Sequence, residues 1–212
     1  MKQIIVAVAA FALATPVHAE HLAPRNACGK LEGADAFQMS LATAVANRDA
    51  EMLRLLVHPE VHLDFGGGRG WELMRERLSS PDYNLWDEFA EVIRLGCDEG
   101  YEQSLVMPYY WGQDYGDLDA YGTYIVVGTK VPLYRTESGE RTVRNLNWEA
   151  VEFVSLFETA EVLAQAKRWE IKTRDGARGF VEPQTLRALV DFRLIAERQD
   201  GTWVITTFIA GD

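Results

Sequence analysis

Apolar side chains recur at helical spacing at Phe37, Leu41, Ala44 and Val45, which predicts a helix opening near Asp35. Asn47-Arg48-Asp49 interrupts it, and Asp49 is placed to cap a second, shorter helix. In that helix Met52, Leu55 and Leu56 face inward while Glu51 and Arg54 stay wet. His58-Pro59 ends it, because the residue before a proline disfavours helical ψ. Val61, Leu63 and Phe65 then alternate with His62 and Asp64, the period of a half-buried strand. A loop over Gly66–Gly70 leads to a helix over Trp71–Leu78. Pro81-Asp82-Tyr83-Asn84 separates this from a helix over Leu85–Leu95 with Leu85, Phe89, Val92 and Ile93 inward and Gly96 at its stop. Ser104–Met107 reads as a strand.

The pattern changes after Tyr124. Apolar runs become short and strand-like at Ile125–Val127, Val131–Arg135, Asn145–Phe153 and Trp169–Val181, with an excursion over Ser155–Ala166. Two longer strands follow, Leu189–Arg198 and Trp203–Ile209. Val190, Phe192, Leu194 and Ala196 share one face of the first. Gln199-Asp200-Gly201 joins the pair, and Asp-Gly tolerates the positive φ of a tight hairpin. Helices first and strands afterwards predict an α+β chain.

The start of the chain carries an export signal. Lys2 precedes an apolar run, Ile4–Thr15, that is too short to span a bilayer, and Val17-His18-Ala19 offers small residues to a signal peptidase. Cleavage after Ala19 is expected, with a periplasmic or secreted product. No later run approaches the length of a membrane span. Of 212 residues, 32 are Asp or Glu against 21 Lys or Arg, a formal net charge of −11. Such a surface repels phosphate backbones, which argues against nucleic acid as a partner. Export places Cys28 and Cys97 in an oxidising compartment, where a pair of thiols tends to form a disulfide; two buried free thiols are the alternative. Neither has a Cys-x-x-Cys neighbour, so a redox or zinc site is not expected.

The strand with Leu133 and Arg135, the Leu146…Glu149…Val151 stretch and the close Asp175-Gly176…Gly179-Phe180-Val181 follow one another in an order that resembles the bacterial Src homology 3 domain. Phe180 stands where that family usually has tryptophan, and the excursion over Ser155–Ala166 is longer than usual. The resemblance implies a small β-barrel over 121–186. It also implies binding of a peptide, an envelope protein or peptidoglycan, with Tyr134, Trp148 and Phe180 as groove residues. A second set of motifs, Ala46-Asn47-Arg48-Asp49-Ala50-Glu51, Val57–Gly66 and the terminal Gly201-Thr202-Trp203-Val204-Ile205, is similar to the SnoaL-like superfamily shared with nuclear transport factor 2. That likeness implies a curved antiparallel sheet with N-terminal helices, a cone built from 20–120 and 187–212 and interrupted by the barrel. The competing architecture is a helical N-terminal domain followed by one larger β domain.

Candidate chemistry is sparse. On a strand His62 and Asp64 would share a face, and a carboxylate beside an imidazole suits acid–base work. A cone-pocket isomerase, dehydratase or hydrolase built on that pair is the alternative to a non-enzymatic binding protein; an ordinary solvated strand edge is the plainer reading of the same residues. His58 and Glu60 lie close by, but His58 precedes a proline, and no metal site or cofactor is expected. The glycines of Gly66–Gly70 lack a following Lys-Ser/Thr and are read as a tight turn, not a phosphate cradle. Tyr109, Tyr110, Trp111, Tyr115, Tyr121 and Tyr124 could stack on a ligand or glue two modules together.

Overall fold

The computed structural model describes residues 22–155 and 158–211. The expected leader, with its cleavage after Ala19, therefore lies outside the described residues. Two β-sheets organise the chain. The first runs β1-β12-β11-β3-β2, built from β1 (Val57–His62), β2 (Asp98–Glu99), β3 (Leu105–Met107), β11 (Arg193–Gln199) and β12 (Thr202–Ile209). The second runs β10-β4-β7-β8-β9-β5-β6. Its strands are β4 (Thr123–Val126), β5 (Val131–Tyr134), β6 (Thr142–Leu146), β7 (Ala150–Phe153), β8 (Trp169–Thr173), β9 (Arg178–Val181) and β10 (Leu186–Ala188).

Four helices cover the first sheet's apolar face: α1 (Ala34–Ala46), α2 (Ala50–Arg54), α3 (Trp71–Ser79) and α4 (Leu85–Arg94). Phe37 and Leu41 of α1, Leu53 of α2, Met74 of α3 and Phe89 of α4 meet Val61, Leu194 and Ile205 of the sheet in one buried cluster. Phe89 stacks on Phe208 with ring centroids 3.7 Å apart. The terminal hairpin joins β1 here, so strands from the two ends of the chain share one sheet. Asp200 and Gly201 both have positive φ, as the turn between β11 and β12 requires. The β11–β12 register shifts between Ile195 and Ala196, and along β12 burial moves from Trp203 and Ile205 to Phe208.

Three local expectations are corrected. The Asp49 cap forms, its carboxylate accepting from the Met52 N–H at 3.0 Å, but α2 lasts only five residues and Leu53 points inward, while Leu55 is 78% exposed. The chain enters β1 at Val57 and runs through Pro59, which an edge strand tolerates because its missing N–H faces no ladder partner. The first sheet is mixed, not antiparallel, since β1 pairs parallel with β12. Parallel pairing needs a long connection, and residues 63–201 lie between these two strands.

The second sheet is antiparallel throughout, but the Asn145–Phe153 run is two strands, not one. Asn147-Trp148-Glu149 breaks it, with Trp148 at φ +43°. The connection also shows how the sheet bends. β6 and β7 are four ladders apart, about 19 Å in a flat sheet. The step from Leu146 to Ala150 reaches at most about 14 Å, so the sheet must curl. Val126, Leu133, Leu146, Val151, Ile171 and Val181 fill the inside of that curl. Among the described residues the sheet is not a closed barrel: β6 pairs with β5 only and β10 with β4 only. β10 is three residues long, and the chain after it turns towards β11 instead of completing a ring. The excursion before β8 holds a short helix, α5 (Ala160–Gln165), capped by Thr159.

Between the sheets lies a third cluster, with Leu22, Leu95, Tyr110, Tyr115, Ile125 and Leu189 buried together. The aromatic stretch after Pro108 therefore serves mainly as packing between the two sheets.

Candidate functional site

Each group singled out in the sequence is placed by a different element. β1 carries His58, Glu60 and His62 on its solvent side, where they border a shallow hollow of about 330 Å³ with Glu197, Thr206 and Thr207. The strand stops at His62 because residues 61–63 fold back on 68–70: the Leu63 N–H donates to the Gly68 carbonyl at 2.9 Å, and the Gly70 N–H to the Val61 carbonyl at 2.8 Å. Asp64 consequently sits in the turn, not further along the strand. One of its oxygens accepts from the Gly68 N–H at 2.7 Å, and the other pairs with Arg77. The Arg77 guanidinium first, and the Gly68 N–H second, hold the Asp64 carboxyl below the usual carboxylate range. Asp64 is thus engaged by a loop and a helix, and among the described residues no hydrogen bond or ion pair joins it to His62. The same geometry explains the glycine run: a side chain at Gly68 would collide with the Asp64 carboxylate. Phe65, expected inside, is carried outward by this turn and is 57% exposed.

The three groove candidates separate. Tyr134 and Phe180 are Cα partners across β5 and β9, so their side chains leave the same face of the curled sheet, and both are partly exposed. The Arg168 guanidinium lies over the Tyr134 ring, 3.4 Å from its centroid. Arg168 is itself buried, donating to the carbonyls of Gly139 at 2.6 Å and Glu137 at 3.0 Å, which clamps the β5–β6 hairpin loop. Trp148 is elsewhere. It sits at the β6–β7 turn and packs towards the cluster between the sheets, and its carbonyl accepts from the Leu22 N–H at 2.8 Å.

The cysteines are joined: Cys28 and Cys97 form a disulfide with Cα atoms 5.7 Å apart, closing a separation of 69 residues. Gly96, at φ +80°, precedes it, and the Arg25 backbone passes so close that no side chain fits there.

Two features escaped the sequence reading. Where α4 meets β10, Arg187 bridges Glu88 at 3.3 Å and Asp191 at 3.5 Å beside the buried Tyr110. Burial first, and the Asp191 charge second, push the Glu88 carboxyl up. Burial likewise pushes the Tyr110 hydroxyl well up. The second feature is a hollow of about 520 Å³ beside the β2–β3 turn. Its residues Tyr101-Glu102-Gln103-Ser104 look like any polar connection in the sequence.

Among the described residues no group of three or more His, Cys, Asp or Glu side chains is placed to hold a metal ion, and no helix is long and apolar enough to cross a membrane. No family model, curated protein or solved structure matches the chain.

Proposed function

We propose that this chain is an exported, non-enzymatic binding protein of a bacterial envelope. In this reading it takes a peptide, a protein segment or the peptide part of the cell wall on the outer face of its second sheet. The observation that carries the reading is the Tyr134–Phe180 pair: two aromatic side chains on one face of adjacent strands, one of them fixed by a buried arginine. Aromatic rings with one wet side and a fixed setting supply contact area at little entropic cost. The disulfide is consistent with an oxidising location outside the cytoplasm.

The finer architecture belongs to the same proposal. We read the first sheet with its helices as a SnoaL-like cone, and the curled second sheet as a relative of the Src homology 3 barrel inserted between β3 and β11. Support comes from the strand orders and from the pairing of the terminal hairpin with β1. The catalytic alternative loses its basis with Asp64 committed to Arg77 and Gly68.

Retention on purified peptidoglycan tests the binding reading. Wild type should be retained, and Phe180→Ala should be retained several-fold less with unchanged circular dichroism. Equal retention of the two proteins, or none of either, would overturn it.

A further inference from the structure

The hollow beside the β2–β3 turn has three walls from distant parts of the chain. One is Lys30–Glu32, held by the neighbouring Cys28–Cys97 disulfide; the second is the turn Tyr101–Ser104; the third is the β11–β12 hairpin with Glu197, Arg198 and Trp203. The walls are tied together. The Trp203 indole N–H donates to the Glu32 carbonyl at 2.9 Å, and Arg198 pairs with the Glu32 carboxylate at 3.0 Å. The turn is closed by the Gly100 N–H on the Ser104 carbonyl at 2.8 Å and the Ser104 N–H on the Tyr101 carbonyl at 3.0 Å. A side chain at Gly100 would collide with Ser104 and Val106, so the turn is pressed against its base. The site is preformed, which lowers the entropic cost of binding.

Two consecutive residues of this turn, Glu102 at φ +52° and Gln103 at φ +61°, occupy left-handed backbone. Glycine or asparagine would sit there with less strain. The chain instead places two long, planar, hydrogen-bonding side chains, and both are exposed at the hollow. Strain kept at two adjacent positions beside a cavity makes this turn a place to look for function. Next to them Tyr101 is 84% exposed, far more than packing would require of a tyrosine.

The chemistry narrows the ligand. Both cations at the hollow are committed, Lys30 to Glu99 at 2.6 Å and Arg198 to Glu32. Among the described residues Glu102 and Glu197 make no ion pair, so the open part of the site is acidic and disfavours phosphates and other anions. An open polar cavity with one exposed ring, Tyr101, beside the buried Trp203 does not suit a large apolar molecule. A sugar fits all of this: its C–H face stacks on an aromatic ring, and its hydroxyl or amino groups reach planar carboxylates and amides. We propose that this hollow is a saccharide-binding site. One sugar ring stacks on Tyr101, and Glu102, Gln103 and Glu197 hydrogen-bond the polar edge. The two open carboxylates favour a sugar carrying a free amine. This site is separate from the Tyr134–Phe180 face and does not depend on it.

Titration calorimetry of the oxidised protein with a glucosamine trimer, an N-acetylglucosamine trimer and inorganic phosphate tests the proposal. Saturable binding of a trimer is expected, with the glucosamine form tighter and phosphate silent. Tyr101→Ala and the double variant Glu102→Gly, Gln103→Gly should each weaken it roughly tenfold or more. The double variant should also melt about 2–4 °C higher, because glycine relieves the backbone. Phe180→Ala should bind the trimer like wild type. No saturable binding of either trimer, unchanged affinity in the Tyr101 and glycine variants, a lower melting temperature in the glycine variant, or loss confined to Phe180→Ala would each overturn the site. The last result would move the sugar to the other face and leave the first reading standing.

Discussion

Arg77 pairs with Asp64 and also donates to the Leu63 carbonyl at 3.0 Å, so one guanidinium from α3 fixes both the end of β1 and the turn that follows. The Asp64 carboxyl is held below its ordinary value of 3.8, Arg77 being the first cause. Its contribution to stability is therefore present above that value and is lost as pH falls through the lower folded value. Asp64→Asn should lower the urea midpoint at pH 6. The gap between wild type and variant should close as the pH is taken below about 3.8. A gap that widens in acid would remove Asp64 from this role.

Glu88 behaves in the opposite sense. Its carboxyl is raised above 4.5 by burial and by Asp191, with Arg187 opposing. The folded chain then holds this proton to a higher pH than the unfolded chain does. Its contribution falls as pH climbs from 4.5 through the raised value and stays low above it. Urea midpoints of wild type minus those of Glu88→Gln should decrease over that window. A rising difference would mean that the Arg187 pairing outweighs burial.

The Cys28–Cys97 bond closes a separation of 69 residues. By chain entropy it stabilises by about 4 kcal/mol as an upper figure. Urea unfolding of the oxidised protein and of Cys28→Ser, Cys97→Ser should differ by a substantial part of that. Coincident curves would show that the bond adds nothing beyond the packing around it.

Phe89 has no exposed surface and lies flat on Phe208. Phe89→Ala should cost about 3–5 kcal/mol in the two-state unfolding free energy, since it removes both the buried area and the stacked partner. A cost below about 1 kcal/mol, well short of a large-to-small core change, would mean that α4 re-packs freely over the sheet.

The elements that could be read from the chain are those whose cause is local. The spacing of Phe37, Leu41, Ala44 and Val45 needs only one buried side of a helix, and α1 buries all four. Asp49 caps through its own next turn, and Asp200-Gly201 turns because both residues accept positive φ. The misreadings have non-local causes. The Asn145–Phe153 run contains no glycine or proline, yet the curl of the second sheet forces a turn through Trp148. Asp64 is in phase with His62 along the chain, but the pairing of residues 61–63 with 68–70 and the reach of Arg77 take it out of the strand.

By itself the sequence determined the helical spacing of α1 and α4, the tight turn at Asp200-Gly201, and that two cysteines were present to be joined. Periodicity and turn chemistry act over a few residues and are written into them. The tertiary structure alone decided that β12 lies parallel to β1, that Tyr134 meets Phe180 while Trp148 turns inward, and that Lys30, Tyr101 and Glu197 border one hollow. Those relations join residues tens to well over a hundred positions apart. They arise when separate apolar faces bury against one another, and nothing in the spacing of neighbouring residues encodes the partner.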